Sequence, residues 1–413
     1  MTQPKIVLQH APMLQFPVRH NNLVIGGMEL TRLVSRVGKT PFYAYDRQVI
    51  IDGVAKLRQQ MPSDLKIHYA IKANPMPAVV QLMAGLVDGF DVASAAEMKV
   101  ALDTTMPAHH ISIAGPGKRT AELSQAIAAG ITINVESFNE LETIARLSEQ
   151  ISITASVAIR VNPAFELKTS GVKMGGGSKP FGIDEEQLPA VLRRIQALPL
   201  DFQGLHIYSG SQNLKVSSLI ESQQQSIALA LRLVEFCPKG IKKLNIGGGY
   251  GLPYFAGEMP LNMQQIGDAL ASDMEKFKAV QPEADLIIEL GRYLVGAAGI
   301  YVCQVLDKKI SRGQIYLVVN GGLHHHLAAS GNFGQVIRKN YPVAIGNKMY
   351  AEQQETVNVV GCLCTPLDIL ADKISLPVAE VGDLVVIYQS GAYGLTASPG
   401  AFLSQPAAEE VLV

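Results

Sequence analysis

Between residues 67 and 292 the chain alternates short apolar runs with amphipathic stretches, and this alternation limits the fold more than any other feature of the sequence. The apolar runs are I-H-Y-A-I-K from 67, G-F-D-V-A-S from 89, I-S-I-A-G from 111, T-I-N-V-E-S from 132, S-V-A-I-R-V-N from 156, G-L-H-I-Y from 204, K-L-N-I-G-G-G from 243 and L-I-I-E-L-G from 286. Between them, stretches such as A-E-L-S-Q-A-I-A-A from 121, N-E-L-E-T-I-A-R-L from 139 and S-Q-Q-Q-S-I-A-L-A-L-R-L-V from 222 place apolar residues at helical spacing. Eight strands alternating with helices predict an α/β fold built on a closed parallel (β/α)8 barrel of the TIM type. A doubly wound open sheet alternates too, but it carries a glycine fingerprint after its first strand, and none follows Lys72.

After about Arg292 the alternation stops. The runs I-Y-V-C-Q-V-L, Q-I-Y-L-V-V-N, T-V-N-V-V-G-C-L-C and D-L-V-V-I-Y-Q-S follow one another with only turns between them, which predicts a mostly antiparallel β domain. Residues 1–45 hold short apolar pieces broken by proline and glycine, better suited to a few short strands than to a helix, and are expected to join that domain. Asp46 can cap the helix that leads into the barrel. The expected division is 1–45 together with 293–413 as the β domain, and 46–292 as the barrel.

Bulk composition narrows the partners. Of 413 residues 48% are hydrophobic and 17% charged, with a formal net charge of −1, so nothing in the balance points to nucleic acid or an anionic membrane surface. A small neutral or zwitterionic substrate fits better. No uninterrupted apolar segment approaches the roughly 18 residues of a membrane helix, and the N-terminus lacks the pattern of an export signal. The four cysteines, Cys237, Cys303, Cys362 and Cys364, show neither a disulfide framework nor zinc spacing, which suits a reducing compartment, the cytoplasm by default.

In such barrels the chemistry sits at the C-terminal ends of the strands. There this sequence places Lys72, then Asp91 and Ser94, Arg160 and Asn162, His206, Tyr208 and Ser211, a glycine run, and finally Glu289 and Arg292. A lysine closing an apolar strand is desolvated, and the neutral amine can form a Schiff base; a solvated strand end is the plainer alternative. In G-G-G-Y-G from 247 to 251, Gly247, Gly248 and Gly249 offer backbone N–H groups without obstruction, and with Arg292 they suggest a phosphate pocket, against the alternative of a tight turn. The run lacks G-x-G-x-x-G spacing, because Leu252 takes its last place, and G-K-T at Gly38 lacks the Walker glycine, because Leu33 stands there. An imine-forming lysine, a phosphate cradle and a strand-end carboxylate describe a pyridoxal 5'-phosphate site. Glu289 would face the ring nitrogen and keep it protonated, unless it only forms a rim salt bridge with Arg292. The run His324, His325 and His326 is not read as a metal site, because consecutive side chains cannot converge on one ion in regular structure; no metal is expected. His10, His20, His68, His109 and His110 read as ordinary structural or surface histidines.

With those residues in view, the chain resembles the fold-type-III pyridoxal phosphate decarboxylases, the ornithine, arginine and diaminopimelate decarboxylase group with its alanine-racemase-like barrel, across nearly its full length. The resemblance rests on Y-A-I-K-A-N at 69, G-F-D-V-A-S-A-A-E at 89, G-L-H-I-Y-S-G-S-Q at 204, G-G-G-Y-G at 247, E-L-G-R at 289, C-T-P-L-D at 364 and G-A-Y-G at 391. It implies that Lys72 carries the cofactor and Glu289 pairs with its ring nitrogen. It also implies that Asp91, His206 and Tyr208 contribute to the cofactor site, and that Ser211, Gly247, Gly248, Gly249, Arg292 and Tyr393 surround the phosphate. Cys364 would act across the interface of a homodimer with shared active sites, as the acid that reprotonates the α-carbon.

Racemases of this fold place arginine against the ring nitrogen, so Glu289 and Cys364 favour decarboxylation over an amino-acid racemase; a non-catalytic cofactor-binding regulator is expected to have lost the lysine or the cysteine. Three departures bear on the substrate. Tyr208 stands where a histidine usually stacks on the cofactor, Thr365 replaces the acidic residue that meets a distal amine and leaves Asp368 as the nearest carboxylate, and the segment from Asn320 through Arg338 replaces an arginine-bearing stretch. These features resemble the branch holding the exosortase-associated and glutamyl-carrier-protein decarboxylases. They imply a substrate with a conjugated side chain, such as a carrier-bound glutamyl group or citryl-ornithine, rather than meso-diaminopimelate, ornithine or lysine.

Overall fold

The computed structural model describes residues 8–166 and 172–413. These divide into two compact units: Gly53–Leu252 with Leu261–Leu294, and the described part of Met1–Asp52 with Pro253–Pro260 and Val295–Val413.

The first unit is the barrel. Its strands are β1 (Lys66–Ala70), β2 (Gly89–Val92), β3 (Ile111–Ile113), β4 (Thr132–Val135), β5 (Ser156–Asn162), β6 (Asp201–Ile207), β7 (Lys243–Gly248) and β8 (Asp285–Leu290). Every neighbouring pair is parallel, and the ring closes where β4 meets β5, with Ile133 opposite Val157 and Val135 opposite Ile159. Burial on both faces explains why these strands read as continuous apolar runs, without the alternation of a half-exposed sheet. The helices start where the sequence supplies caps: the N–H of Glu97 donates to Ser94 Oγ (3.2 Å) and that of Glu140 to Ser137 Oγ (3.1 Å). Polar residues at the inward positions of these strands give the barrel interior its unusual content of His68, Asp91, Asn134, His206 and Asn245, all buried.

The second unit is a mostly antiparallel sheet from both chain ends. The long strand β9 (Gly299–Ser311) pairs antiparallel with Phe42–Tyr45, with β10 (Gln314–Val319) and with β13 (Leu384–Ile387), while β11 (Gln354–Val360) pairs antiparallel with β12 (Ile369–Pro377). Two pairs are parallel: β10 with β11, and Glu409–Leu412 with Phe42–Tyr45. Its core gathers Phe16, Leu23, Leu33, Phe42, Ile300, Val302, Val386 and Tyr388. Asp46 does cap the following helix, its Oδ1 accepting from the N–H groups of Gln48 (2.9 Å) and Val49 (3.2 Å). One element differs from the sequence reading: Leu30–Val37 is an α-helix, ended by Gly38 in the left-handed conformation. The L-T-R-L-V-S-R-V spacing buries Leu30 and Leu33 on one face, a helical period that the surrounding prolines and glycines obscured.

Two histidines in this unit, His325 and His326, are held neutral by burial. His326 Nε2 lies 2.9 Å from Ser390 Oγ, and burial lowers its pKa to about 3; burial and the neighbouring His324 lower that of His325 to about 4. Unfolding lets both rings take up protons below their ordinary value near 6.5, whereas the folded rings take them up only far below it. Their contribution is therefore complete above pH 6.5 and is lost as pH falls toward 4, by up to ~1.4 kcal/mol per pH unit for each ring. Melting temperatures measured from pH 7.5 to 5 are expected to fall, and to fall less steeply in His326→Gln; a wild-type melting temperature that stays level to pH 5 would reject this account.

Candidate active site

Lys72 lies in the single 3-10 turn Ile71–Ala73 that leaves the end of β1. Its Nζ is 3.8 Å from Glu289 Oε1 and 5.5 Å from the centre of the Tyr208 ring. The side chain is 40% exposed, so the amine stands beside a carboxylate and an aromatic face, not in the dry apolar setting that the strand sequence suggested.

Glu289 is 5% exposed at the end of β8. Burial pushes its pKa up, but the hydrogen bond from His206 and the charges of Lys72, His206 and Arg160 outweigh it and hold the carboxyl to about 2. His206 Nε2 lies 3.0 Å from Glu289 Oε2. Because an ionised carboxylate only accepts, Nε2 carries the proton in that bond. Arg160, one strand further round, pairs with the buried Glu136 at 2.9 Å.

The glycine run forms the turn after β7. Gly247 and Gly249 have φ of 67° and 77°, a conformation that side chains resist. A Cβ on Gly249 would also strike the carbonyl of Gly210, and one on Gly247 would press on Tyr208. The run is thus required in part for close packing against the segment after β6: the N–H of Asn213 donates to the Gly249 carbonyl (3.0 Å) and that of Gly251 to the Asn213 carbonyl (2.9 Å). The same packing sets Ser211, on the short strand Gly210–Ser211, beside the glycines. Gly248 ends β7 opposite Glu289, and Arg292 opens the short helix Arg292–Val295 after β8.

The other predicted residues belong to the sheet unit. Cys364 and Thr365 lie in the loop between β11 and β12, and the thiol of Cys364 is exposed. Tyr393 has φ of 52° in the turn after β13. Three residues read from the sequence as substrate groups make contacts within the protein. Asp368 is buried and its carboxylate accepts from the N–H groups of Leu323 (2.6 Å) and Leu363 (2.9 Å), so it clamps two loops. Asn320 donates to Thr40 Oγ1 (2.7 Å) and accepts from the N–H of Gln304 (2.9 Å). Arg338 donates to the carbonyls of Ser330 (2.8 Å) and Ile369 (2.5 Å). These contacts tie Asp368, Asn320 and Arg338 to the protein's own loops.

Residues not singled out by the sequence complete the barrel interior. His68, read as an ordinary histidine, is buried with Nδ1 3.3 Å from Asp91 Oδ2. Asp91 Oδ1 accepts from Ser112 Oγ (2.5 Å), which in turn accepts from Asn134 Nδ2 (3.0 Å). Asn245 Oδ1 accepts from the N–H of Gly247 (2.8 Å) and fixes the glycine turn from below. The signal was present as single polar residues set within otherwise apolar, buried strands, where an apolar side chain is the usual choice.

Comparison with known proteins agrees with this geometry. The family described as pyridoxal-dependent decarboxylase, pyridoxal binding domain, matches residues 47–296. An L-glutamyl-(BtrI acyl-carrier protein) decarboxylase of Niallia circulans is 37% identical over 390 residues, covering 93% of this chain and 91% of that one. A 2-((L-alanin-3-ylcarbamoyl)methyl)-2-hydroxybutanedioate decarboxylase of Staphylococcus aureus is 31% identical, covering 88% and 92%. Among solved structures, the diaminopimelate decarboxylase of Helicobacter pylori complexed with L-lysine superposes with a TM-score of 0.82 at 26% identity, over 93% of this chain and 94% of that one. With its closed eight-stranded barrel, its second sheet and these relatives, the chain belongs to the pyridoxal-dependent decarboxylases.

Proposed function

We propose that this chain uses pyridoxal 5'-phosphate to decarboxylate an amino acid whose side chain is conjugated, and that Lys72 set 3.8 Å from the buried carboxylate of Glu289 is the observation that carries the reading. The residues fit that cofactor. Lys72 supplies an amine for its aldehyde, Tyr208 an aromatic face, and Glu289 an ionised partner for its ring nitrogen. Ser211, the close-packed turn Gly247, Gly248 and Gly249, and Arg292 would hold its phosphate. When bound, the cofactor supplies an electron sink for the pair left at the substrate α-carbon. Glu289 keeps a proton on the ring nitrogen, and His206 Nε2–H holds Glu289 in line. Cys364, presented across the interface of a homodimer with shared active sites, donates its thiol proton to the α-carbon after carbon dioxide leaves. The exposed position of that thiol and the four unpaired cysteines support this role and a cytoplasmic setting.

The substrate class rests on the loop before β12. A free terminal amine needs a carboxylate, and Asp368 has both its oxygens engaged by backbone amides, while Thr365 offers only a hydroxyl. The two relatives named above act on a carrier-bound glutamyl group and on a citrate-like conjugate of an amino acid, and both kinds of substrate lack the free diamine terminus. Carbon dioxide release from a carrier-bound glutamyl group and from citryl-ornithine is expected to exceed that from meso-diaminopimelate, ornithine and lysine. Efficient turnover of the free diamino acids would overturn the substrate reading, and exchange of the α-proton without carbon dioxide release would point instead to a racemase.

A further inference from the structure

The barrel holds a cavity of about 30 Å³ to which the chemistry above assigns no role. His68, Asp91, Ser112, Asn134, His206 and Asn245 line it, with Lys243 and His110 also at its wall. Three atoms of these residues have no hydrogen-bond partner among the described residues: Nδ1 of His206, Nδ1 of His68 and Oδ2 of Asp91. The three side chains are 3%, 7% and 6% exposed. The 3.3 Å between His68 Nδ1 and Asp91 Oδ2 is out of line for a hydrogen bond, so the two do not satisfy each other. Leaving three buried polar atoms unpaired costs about 1–3 kcal/mol each, and a cavity of this size has room for one or two waters.

We propose that this cavity is a water-binding site, and that the bound water joins His206 Nδ1 to Asp91 and His68 and so positions His206 against Glu289. The positioning role rests on the reading of Glu289 as the partner of the cofactor ring; the water itself does not. Proton directions follow from fixed points at both ends. Glu289 accepts only, so His206 carries a proton on Nε2, and its Nδ1 faces the cavity. At the other end Asn134 Nδ2 donates to Ser112 Oγ, so the Ser112 hydroxyl donates to Asp91 Oδ1. The water therefore donates to Asp91 Oδ2 and bonds the Nδ1 atoms of His206 and His68, meeting all three partnerless atoms at once. The remaining cation at the wall, Lys243, donates to the carbonyl of His109 at 2.6 Å, which ties its amine to the barrel floor. Asp91 and His68 are thus positioning residues, two hydrogen bonds removed from Glu289.

Three measurements test this. A high-resolution crystal structure of the cofactor-loaded protein is expected to show a solvent peak within hydrogen-bond reach of His206 Nδ1 and Asp91 Oδ2; a cavity without solvent density overturns the proposal. In protein labelled with 15N-histidine, and assigned with His206→Gln, His206 is expected to carry a proton on Nε2; a ring protonated on Nδ1 alone also overturns it. Ala158→Val adds volume from a wall residue of the cavity. It is expected to remove the solvent peak, shift the His206 15N signals and lower kcat about tenfold with KM unchanged, the scale of one hydrogen bond to a charged group. Unchanged signals and kcat in a variant whose solvent peak is gone overturn the positioning role. The first measurement does not depend on a variant folding, and the first two need no bound cofactor. Both can be repeated on cofactor-free protein, so a chain that takes up no cofactor defeats the function proposed above while leaving the water site to be judged separately.

Discussion

Lys72→Ala is expected to leave a folded protein that retains no cofactor through borohydride reduction and denaturation, and whose decarboxylation falls by at least about 10³-fold, the scale on which removal of an acid–base or nucleophilic group acts. The wild-type protein should be yellow, and reduction should fix the chromophore to the tryptic peptide that carries Lys72. Folding should survive, because the side chain is 40% exposed and lies in a one-turn segment outside the barrel ladder. A variant that melts like the wild type, binds no reducible cofactor and releases no carbon dioxide supports the assignment. A colourless wild-type protein with Lys72 intact, or a Lys72→Ala variant with undiminished turnover, refutes it.

Glu289→Gln should lower kcat by about 10²- to 10³-fold, the range for removing one preorganised electrostatic partner. The amide has the size of the carboxylate and can still meet His206, but it cannot hold a proton on a ring nitrogen. The sign of the pH dependence is also set. Because the folded carboxyl is held to about 2, Glu289 stays charged through the whole working range, and the wild-type kcat profile should show no limb from it between pH 5 and 9. Glu289→Gln should therefore scale the profile down without moving its acid side; a shifted acid limb would show that Glu289 titrates during turnover.

The sequence revealed the barrel because eight separate apolar runs, each bounded by turn or cap residues, repeat one signal. The strands β1 to β8 fall on the expected runs, and Lys72, His206, Tyr208 and Glu289 converge as the barrel geometry requires. Side chains whose partners lie in distant loops were not legible in the same way. Asp368, Asn320 and Arg338 are polar residues in a loop-rich region, and nothing in their neighbours in sequence shows that Leu323, Thr40 or Ile369 would occupy their hydrogen-bonding groups. His68 reads as a structural histidine inside an apolar run, and its buried place fits that; only the neighbouring strand shows that Asp91 stands beside it.

The parallel pairing of Glu409–Leu412 with Phe42–Tyr45 bears on how the protein is made. It joins residues some 365 positions apart, and Tyr45 Oη donates to Glu410 Oε1 at 2.6 Å across that span. A chain emerging from the ribosome at about 5–20 residues per second exposes the complete barrel sequence well before residue 409 appears. The barrel can close during synthesis, whereas the early strand Phe42–Tyr45 waits with one edge open until the final stretch arrives to cover it. Nascent chains stalled after residue 300 should therefore display a protease-resistant barrel attached to a sheet that is still sensitive to cleavage.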